Sequence, residues 1–444
     1  MNVGFISLGC AKNQVDTEVM MGILKSNGYK IVNKLEVAEI VIINTCGFIT
    51  EAKEEAIDNI LKTSELKKYG QLKYLIATGC LIQRYGEEII REIPELDGII
   101  GISSFVNIDK AIKKIINKQQ KVFIDYPTVH YIEEGPRILS TPPGWAYVKI
   151  AEGCNNKCSY CAIPLIRGNL RSRPYDNIIK ESKKLVSLNK IKELVIIAQD
   201  TTSYGNELIG HPNLKTLLEE LCSIEGLEWI RLMYVHPSNL NEDIINLIKK
   251  HEKIVPYLDI PIQHASNKIL QSMNRKHNID HLYKLIENLK TDIKDIVLRT
   301  TVMLGYPGET QDDFNKLCEF ILAAEFDWLG AFCYVSEEGT SASTLPNQIP
   351  EEVKQHRKDE ILRIQSKITR NKNIARIDRE EKILVTSRLD KNLYLGRGYF
   401  QAPDVDGVTI IKTDKSLKLG EFSPVKFKGV RNYDMIGEYI HEST

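Results

Sequence analysis

Three cysteines lie close together near the middle of the chain, in the segment KIAEGCNNKCSYCAIPLIRGNLRSR (residues 149–173). They are Cys154, Cys158 and Cys161, with the spacing C-x3-C-x2-C. Because three thiolates this close cannot lie on one regular element, we expect them on a loop around a common centre. Three thiolates satisfy three corners of a cubane iron–sulfur cluster and leave the fourth iron open. A structural zinc site needs four protein ligands, and the next histidine, His211, is distant in the sequence. The spacing therefore predicts a catalytic cluster, with a zinc or structural knuckle as the alternative.

The segment resembles the radical S-adenosylmethionine (SAM) superfamily, in this spacing and in the aromatic Tyr160 before the last cysteine. The resemblance implies that the open iron binds the amino and carboxylate groups of SAM. An electron from the cluster then cleaves SAM to a 5′-deoxyadenosyl radical, which removes hydrogen from an unactivated carbon. In such enzymes the protein supplies ligation, orientation and exclusion of water. We therefore expect the cofactors, rather than any side chain, to be the catalytic groups.

The first 125 residues alternate between short apolar runs and amphipathic segments. The apolar runs predict strands buried on both faces, at residues 2–8, 39–45, 72–78 and 97–102. Helical periodicity falls between them, around residues 15–28, 50–66, 81–92 and 104–117. Strand–helix alternation predicts an α/β domain with a doubly wound parallel sheet.

A second set of cysteines follows the first three of these predicted strands. Cys10, Cys46 and Cys80 each lie just beyond a strand end. The carboxyl ends of parallel strands share one edge, where ligands bind in open α/β folds. The alternative is three unrelated, partly buried cysteines, since free cysteine is often buried. We interpret the three as ligands of a second cluster, which the glycines beside them would allow to approach the backbone. Those glycines are Gly9, Gly47 and Gly79.

A new strand–helix pattern begins at residue 144, after a proline-containing stretch at 126–143 that we interpret as a linker. Strands are predicted at residues 145–150, 193–198, 229–235, 257–262, 296–304 and 328–335. Six units are two short of a closed eight-fold barrel, and this matches the open (β/α)6 barrel usual in the radical SAM superfamily. Active sites in such barrels lie at the carboxyl ends of the strands. We expect this barrel to span residues 144–373.

Several polar residues and glycines follow these strands and are candidates for binding SAM. The predicted SAM-binding residues are Tyr160, Gln199, Gln263, Gly305, Pro307 and Gly308. Asp200, His236 and His264 follow the same strand ends, and we interpret His264 as a structural histidine. Arg167, Arg171 and Arg173 are candidates for forked carboxylate binding. For each of these residues alone, a solvated or capping role is the alternative. We interpret Cys222, Cys318 and Cys333 as core residues without chemistry.

The last part of the chain changes character. A basic helix at 351–373 is interpreted as a solvated connector. From residue 374 onward, five short apolar runs separated by turn residues predict a small antiparallel β-barrel. It resembles the TRAM domain, which often binds RNA. Residues 375–444 hold 12 Lys and Arg against 11 Asp and Glu, and this balance favours a protein partner over nucleic acid.

Composition excludes other classes. Lys and Arg total 59, as do Asp and Glu, so the chain has no overall basic field for nucleic acid. The N-terminus lacks the features of a signal peptide, and no apolar run is long enough to span a membrane. Nine cysteines in short clusters indicate a reducing compartment, and we expect a cytoplasmic protein without a membrane partner.

The two cysteine triads, the open barrel and the TRAM-like domain together resemble the methylthiotransferase branch of radical SAM enzymes, over essentially the whole chain. SLGCAKNQVDTEVM, NTCGFI, AQDTTSYG and YLDIPIQHAS look like the RimO-type enzymes, which modify an aspartate of the twelfth small-subunit ribosomal protein. The tRNA-modifying sister group reads differently beside its first two cysteines, where this chain has Ala11, Lys12 and Gly47. One departure from the family is Ala11, where proline is frequent.

This resemblance implies two [4Fe–4S] clusters, with SAM as both radical source and methyl donor. The cluster on Cys154, Cys158 and Cys161 would produce the radical that removes hydrogen from the aspartate β-carbon. The cluster on the first three cysteines would carry or donate the sulfur, and a second SAM would methylate it. The partners implied are the aspartate loop of ribosomal protein twelve, sulfide or a sulfur carrier, and a flavodoxin-type electron donor, with the enzyme a monomer.

Two alternatives remain open. One is a tRNA adenosine methylthiotransferase, against which the charge balance and the motifs speak, since phosphate contacts need a basic surface. The other is a non-catalytic iron–sulfur or zinc protein that serves as a scaffold or redox sensor, which would not explain the SAM-type loop on an open barrel.

Overall fold

The computed structural model describes residues 1–126, 135–208, 210 and 212–440. His211 and part of the expected linker therefore lie outside the described residues. The chain forms two compact units. Unit 1 consists of Met1–Ser140, Ala151–Asn156 and Cys161–Asn177, and unit 2 of Thr141–Ile150, Lys157–Tyr160 and Ile178–Thr444.

Strands and helices alternate along most of the chain, and the last strands follow one another without helices. The strands are β1 (Asn2–Ser7), β2 (Lys30–Ile31), β3 (Ile40–Thr45), β4 (Tyr74–Gly79), β5 (Gly98–Ile100), β6 (Val122–Phe123), β7 (Trp145–Lys149), β8 (Ala151–Glu152), β9 (Arg171–Ser172), β10 (Glu193–Ile197), β11 (Trp229–Leu232), β12 (Ile254–Asp259), β13 (Val297–Leu304), β14 (Trp328–Cys333), β15 (Glu380–Asp390), β16 (Leu393–Arg397), β17 (Thr409–Lys412), β18 (Phe422–Arg431) and β19 (Asp434–Tyr439). The α-helices are α1 (Ala11–Ser26), α2 (Thr50–Ser64), α3 (Leu66–Tyr69), α4 (Cys80–Glu92), α5 (Ile108–Ile116), α6 (Ile163–Arg167), α7 (Tyr175–Asn189), α8 (Leu214–Cys222), α9 (Glu242–Lys250), α10 (Asn267–Ser272), α11 (Ile279–Asp292), α12 (Gln311–Ala324) and α13 (Glu351–Ile374). Short 3-10 helices cover Leu35–Val37, Phe105–Asn107, Thr201–Ser203 and Ser341–Thr344.

Unit 1 contains the expected doubly wound parallel sheet, with the strand order β2-β1-β3-β4-β5-β6. Successive residues of a strand face opposite sides. In β3, Ile40 and Ile42 accordingly pack with α1 and α5 on one face, while Val41 and Ile43 pack with α2 and α4 on the other. This two-sided burial explains the continuous apolar runs in the sequence. The two-residue edge strand β2 gave no such signal.

Unit 2 contains a second parallel sheet, ordered β14-β13-β12-β11-β10-β7, with β7 and β14 at its two edges. This confirms the prediction of an open barrel built from six strand–helix units. The observed β12 starts earlier than expected, at Ile254, because the buried pair Ile254 and Val255 already lies within the sheet core.

The C-terminal strands form a closed barrel in the order β15-β16-β17-β19-β18, which confirms the small terminal β-barrel. The expected antiparallel pairing holds except between β17 and β19, which pair in parallel. The reason is geometric: strand directions cannot alternate at every step around a closed ring of five strands.

The loop between β16 and β17 inserts into the open barrel of unit 2. Each of the six barrel strands contributes one side chain that contacts this loop or the end of β16. The contacts are Tyr147 Oη to Asp404 Oδ2 at 2.9 Å, Glu193 Oε2 from Arg397 Nη2 at 2.7 Å, Arg231 Nη1 to Tyr399 O at 2.6 Å, Tyr257 Oη to Asp406 Oδ2 at 2.6 Å, Arg299 Nε to Asp406 Oδ1 at 3.5 Å and Trp328 Nε1 to Phe400 O at 2.7 Å. We call residues 397–406 the plug. Its polar contacts fix the terminal barrel to the parallel sheet.

Helix α13 corrects one expectation, that residues 351–373 are a solvated connector. One face of the helix is buried, and its buried side chains are mostly polar. Lys354 Nζ donates to Tyr334 O at 2.8 Å, and Gln365 Nε2 donates to Phe326 O at 2.7 Å. These carbonyls flank the edge strand β14 and would otherwise have no partner in the sheet. The burial was missed because the stripe is polar and gives no apolar periodicity.

No helix within the described ranges is long and apolar enough to cross a membrane.

Candidate functional site

Cys10, Cys46 and Cys80 lie at the carboxyl edge of the sheet in unit 1. Cys10 precedes the first turn of α1, Cys46 directly follows β3, and Cys80 is the first residue of α4. Because β1, β3 and β4 are neighbours in the sheet, the three segments that leave them are neighbours too. Cys10 and Cys46 are partly buried and Cys80 is buried.

The glycines beside these cysteines lie where the cysteine-bearing segments pack closely on one another. A Cβ on Gly9 would lie 2.9 Å from Cys46 Sγ, so the Cys46 thiol packs directly on the residue before Cys10. Gly79 has a φ of +100°, and its Cβ would lie 2.3 Å from Thr45 O. These glycines therefore allow the cysteine-bearing segments to approach one another, and their approach to a cluster stays a prediction.

Asn13 ties this edge together and is fully buried. Its Nδ2 donates to Leu8 O at 3.1 Å and to Thr45 O at 2.9 Å, which are the backbone oxygens beyond β1 and at the end of β3. Its Oδ1 lies 3.6 Å from Cys80 Sγ. One amide on the first turn of α1 thus fixes the relative positions of three strand ends.

Arg167 supplies the positive charge of the site. Its side chain is 2% exposed. Nε and Nη2 lie 3.4 and 3.3 Å from Cys80 Sγ, and Nη2 donates to Asn13 Oδ1 at 2.6 Å. Nη1 donates to both carboxylate oxygens of Glu152 at 2.8 Å, and Asp16 Oδ2 accepts from both terminal nitrogens at 3.2 Å. The forked carboxylate binding expected of Arg167 is therefore made to side chains of the protein.

The three thiols differ in acidity. Burial alone would raise the pKa of Cys10, but the charges of Lys12 and Arg167 lower that pKa below its ordinary value of 9.0. Burial raises the pKa of Cys46, and the charge of Cys10 adds to this effect. Burial raises the pKa of Cys80 to about 12, against the opposing effect of Arg167. Each of these thiols is within electrostatic range of the others.

This donor set fits a cationic iron centre. The thiols of Cys46 and Cys80 have raised pKa values and need an additional positive charge before they ionise, which a coordinated metal would supply. Across residues 1–126, 135–208, 210 and 212–440, no group of three or more His, Cys, Asp or Glu side chains could hold one metal ion. The thiolates of a cubane bind different irons, so they lie farther apart than the ligands of one ion. Ligation by the six cysteines therefore stays a prediction.

The C-x3-C-x2-C segment is divided between the units, with Cys154 and Cys161 in unit 1 and Cys158 in unit 2. In unit 1, Cys154 N donates to Gly168 O at 3.2 Å. Helix α6 begins two residues after Cys161. Its Ile166, together with Ala162 just before the helix, packs with Cys80 in one buried cluster. The two cysteine-bearing regions of unit 1 are thus joined by this short helix.

In unit 2, the turn around Cys158 is held by polar contacts. Ser159 N donates to Met273 O at 3.1 Å, and Ser159 Oγ donates to Ser272 O at 2.9 Å. Ser159 Oγ also lies 2.8 Å from Tyr306 Oη, within the LGYPGET stretch after β13. Tyr306 is fully buried, so it fixes this turn from beneath.

A second arginine, Arg275, is partly buried and points at this turn. Arg275 Nη1 lies 3.6 Å from Cys158 Sγ, and Nη2 donates to Pro261 O at 2.7 Å. Burial lowers the pKa of nearby His236 to about 4, and the positive charge of Arg275 adds to the shift. Burial likewise lowers the pKa of His277 to about 3, again with a contribution from Arg275. Both imidazoles are therefore neutral at pH 7.

The predicted SAM-binding residues all fall in unit 2. Gln199 follows β10, Gln263 lies beyond β12, and the glycine–proline turn follows β13. Gln263 has a φ of 70°. Its backbone N donates to Thr301 O at 2.9 Å, and its backbone O accepts from Met303 N at 2.8 Å. Tyr160 is 9% exposed. The barrel thus brings candidates from three strands to its carboxyl edge, and their contacts with SAM stay a prediction.

The turn after β13 is more occupied than the sequence suggested. Gly305 N donates to Glu309 Oε2 at 2.8 Å, and the space beside its Cα is filled by Lys354. Glu309 also accepts from Arg357 Nη1 at 2.7 Å. Gly308 has no atom within 4 Å of its Cβ position, and Pro307 is buried. Of these backbone positions, Gly308 is the one with open space.

Other residues singled out from the sequence have structural contacts. His264 is fully buried, its Nδ1 accepts from Ser266 N at 2.9 Å, and its Nε2 lies 3.6 Å from Glu309 Oε2, so its structural interpretation stays a prediction. Arg171 donates to the carbonyl oxygens of Asn169 and Arg167 at 2.9 Å. Asp200 accepts from Thr202, Ser203 and Asn239. Cys222 is buried, whereas Cys318 and Cys333 are only partly buried.

Sequence reasoning missed three residues of these sites: Asn13, Arg275 and Tyr306. Arg275 lies between α10 and α11, outside any strand end, and gave no signal. Tyr306 lies inside the glycine–proline turn, where the sequence analysis considered only the glycines and the proline. An asparagine three residues after Cys10, facing the same edge, was the available signal for Asn13.

Comparisons with known proteins decide the family. Residues 2–101 match the uncharacterized protein family UPF0004, residues 148–321 the radical SAM superfamily and residues 377–440 the TRAM domain. A protein of Syntrophomonas wolfei named ribosomal protein uS12 methylthiotransferase RimO is 57% identical over 99% of this chain and 100% of its own length. A protein of Clostridioides difficile with the same name is 47% identical over 100% of this chain and 99% of its own length.

The chain belongs to the RimO family of methylthiotransferases. Membership of the RimO family makes it a radical SAM enzyme that transfers sulfur-containing groups, as the resemblance implied. It also accounts for the order of the three matched regions along the chain.

Solved structures agree with the fold expected for the RimO family. The radical SAM methyltransferase TsrM of Kitasatospora setae, solved with cobalamin and a [4Fe-4S] cluster, has a TM-score of 0.57 at 13% identity and covers 77% of this chain and 74% of its own. The cobalamin-dependent SAM radical enzyme OxsB has a TM-score of 0.50 at 11% identity, covering 83% of this chain and 56% of its own. At these identities the likeness concerns the fold alone.

Proposed function

We propose that this enzyme inserts sulfur and a methyl group at the β-carbon of an aspartate in ribosomal protein uS12, forming 3-methylthioaspartate. The observation that carries the proposal is the meeting of Cys10, Cys46 and Cys80 at one sheet edge. SAM cleavage needs only the C-x3-C-x2-C cysteines, so a second thiol set points to sulfur insertion. The names of the full-length relatives support the same substrate.

Each cysteine triad would hold one [4Fe–4S] cluster, the first on Cys10, Cys46 and Cys80 and the second on Cys154, Cys158 and Cys161. SAM would bind beside the second cluster, against Tyr160, Gln199, Gln263, Gly305, Pro307 and Gly308. When bound, these groups supply a 5′-deoxyadenosyl radical, the sulfur and the methyl group. Neither cluster has a fourth protein ligand in this proposal, which leaves one iron of each open.

Residues of the chain itself hold the cluster-binding cysteines in position. Ser159 and Tyr306 hold the Cys158 turn in place, and Arg275 aims a positive charge at its sulfur. Asn13 and Arg167 do the same for Cys80. Asn13, Arg167 and Tyr306 are buried, and hydrogen bonds in such surroundings are stronger than in water.

The remaining partners follow from the chemistry. Sulfide or a sulfur carrier would provide sulfur, and a flavodoxin-type protein would provide electrons. We propose a monomeric enzyme of the cytoplasm, with a linker at 126–143 and domains at 1–125, 144–373 and 374–444.

Mass spectrometry would test the substrate. Reduced enzyme with reconstituted clusters, SAM and sulfide is offered small ribosomal subunits and bulk tRNA in separate reactions. We expect a methylthio mass gain on one aspartyl peptide of uS12. The Cys46→Ala chain is the matched control and should give no gain.

A gain on a tRNA adenosine instead would keep the chemistry and overturn the substrate. No gain on either substrate, from enzyme that cleaves SAM, would overturn sulfur insertion itself.

A further inference from the structure

Arg167 is a buried cation that faces the Cys80 thiol. It lies six residues after Cys161, yet its guanidinium contacts Cys80, which belongs to the other cysteine triad. The side chain is 2% exposed, and its partners Asp16 and Glu152 are also largely buried. Burying a guanidinium is costly unless its donors are matched. Here the donors are divided between carboxylates on one side and sulfur on the other.

The carboxylates orient the guanidinium. Nη1 is held by both oxygens of Glu152 at 2.8 Å, and Nη2 is fixed by Asn13 Oδ1 at 2.6 Å. A planar guanidinium held at these two nitrogens has no rotational freedom left. The edge formed by Nε and Nη2 therefore stays directed at Cys80 Sγ, at 3.4 and 3.3 Å.

We propose that Arg167 is a positioning residue of the cluster on Cys10, Cys46 and Cys80, which we call the auxiliary cluster. Paired N–H···S hydrogen bonds from Arg167 to the Cys80 sulfur would raise the reduction potential of this cluster. The inference rests on the proposed ligation by Cys10, Cys46 and Cys80. Reduction adds one electron to a cluster that already carries thiolate charge. Hydrogen bonds to the sulfur atoms and a nearby positive charge stabilise that reduced form.

The location of Arg167 gives this interaction a second consequence. Arg167 ends helix α6; Ile166 of that helix and Ala162, just before it, pack beside Cys80. Gly168 O, next in sequence, accepts from Cys154 N at 3.2 Å. A shift of the segment that bears Cys154 and Cys161 would therefore move the donors that face Cys80. Arg167 thus links the segment that bears Cys154 and Cys161 to the Cys80 thiol.

The test uses the full chain with Cys154, Cys158 and Cys161 changed to Ala, so that iron binds only at the auxiliary site. After reconstitution with iron and sulfide, the midpoint potential is measured by EPR during titration with dithionite. In this background we expect Arg167→Gln to lower the equilibrium constant for one-electron reduction about tenfold, equivalent to a potential lower by 59 mV. Arg167→Lys retains the charge and should lower the potential by less. Arg171→Gln makes an equal charge change in the same segment. It should leave the equilibrium constant for reduction within a few-fold of its value in the background chain.

A second measurement needs no change at Arg167. The same cysteine background is labelled with 15N-arginine, and pulsed EPR of the reduced cluster should detect a coupled arginine nitrogen. This readout keeps the test decisive if Arg167→Gln fails to load iron.

Iron loading with unchanged potential in Arg167→Gln, or a reduced cluster without nitrogen coupling, would overturn the role of Arg167 alone. A background chain that binds no iron would overturn the auxiliary cluster and this inference together.

Discussion

Glu193→Gln is the most informative perturbation of the junction between the parallel sheet and the terminal barrel. Glu193 is the first residue of β10 and is fully buried. Its Oε1 accepts from Arg231 Nε at 2.7 Å, and its Oε2 accepts from Arg397 Nη2 at 2.7 Å. The substitution preserves shape but leaves two buried guanidinium groups without their shared carboxylate.

The expected cost follows from this burial. Removing one partner of a buried ion pair costs about 3–5 kcal/mol, because the remaining charge stays buried. Glu228→Gln is the matched control: Glu228 also pairs with two cations, Lys192 and Lys382, but its side chain is 31% exposed. An exposed pair contributes about 0–1 kcal/mol. The two variants make the same chemical change and should differ several-fold in effect.

Tryptophan fluorescence during urea unfolding measures this junction directly. The chain has three tryptophans, and each contacts the terminal barrel. Trp145 lies under Arg397 with 5.0 Å from the guanidinium to the ring, Trp328 donates to Phe400 O, and Trp229 packs on Phe422 at 4.5 Å. With an m value of about 3 kcal/mol/M, Glu193→Gln should lower the midpoint by about 1 M or more.

The effect should also depend on pH. Burial alone would raise the pKa of Glu193, but Arg397 and Arg231 lower it below its ordinary 4.5. A lowered pKa in the folded state means that the ion pairs contribute fully above pH 4.5. The contribution falls as the pH drops below 4.5 and is lost below the folded-state pKa. Equal midpoints for Glu193→Gln and Glu228→Gln at pH 7 would refute the reasoning.

Three further predictions concern other parts of the molecule. Cys158→Ala should abolish SAM cleavage, whereas Cys46→Ala should leave it intact and end sulfur insertion, as measured by 5′-deoxyadenosine release and peptide mass. Loss of cleavage in folded Cys46→Ala would contradict this division. Gly79→Ala should lower the thermal midpoint far more than Gly28→Ala. Both glycines have a positive φ, where a side chain costs about 1–2 kcal/mol. Only the Cβ at position 79 would also clash with a backbone oxygen, Thr45 O, at 2.3 Å. Similar midpoints would contradict the clash. Gln365→Leu should cost about 1–3 kcal/mol by leaving a buried carbonyl unpaired, and an unchanged urea midpoint would show that water replaces the amide.

Much of the fold could be predicted because the signals were local. The buried runs around β3 and β4 are apolar on both faces, which identifies a covered parallel sheet. The positions of Cys10, Cys46 and Cys80 at strand ends then followed from topology, since parallel strands share an edge. The spacing of Cys154, Cys158 and Cys161 needed no structure at all.

The remaining features depend on pairing between distant residues. The sequence predicts forked carboxylate binding by Arg167 but does not reveal that the carboxylates are those of Asp16 and Glu152. The polar stripe of α13 has a helical period but no apolar signal, so its burial was missed. The plug was hidden for the same reason: its contacts are single polar side chains on six different strands, and no window of sequence contains them.

The plug also constrains how the chain folds as it is made. Glu193 and Arg231 are 38 positions apart, but Arg397 lies 204 positions after Glu193. At about 5–20 residues per second, roughly 10–40 s separate the synthesis of Glu193 from that of its second partner. During that time the sheet emerges with its polar interior incomplete. A nascent chain of this enzyme therefore cannot complete the polar contacts of its central barrel until the plug has been translated.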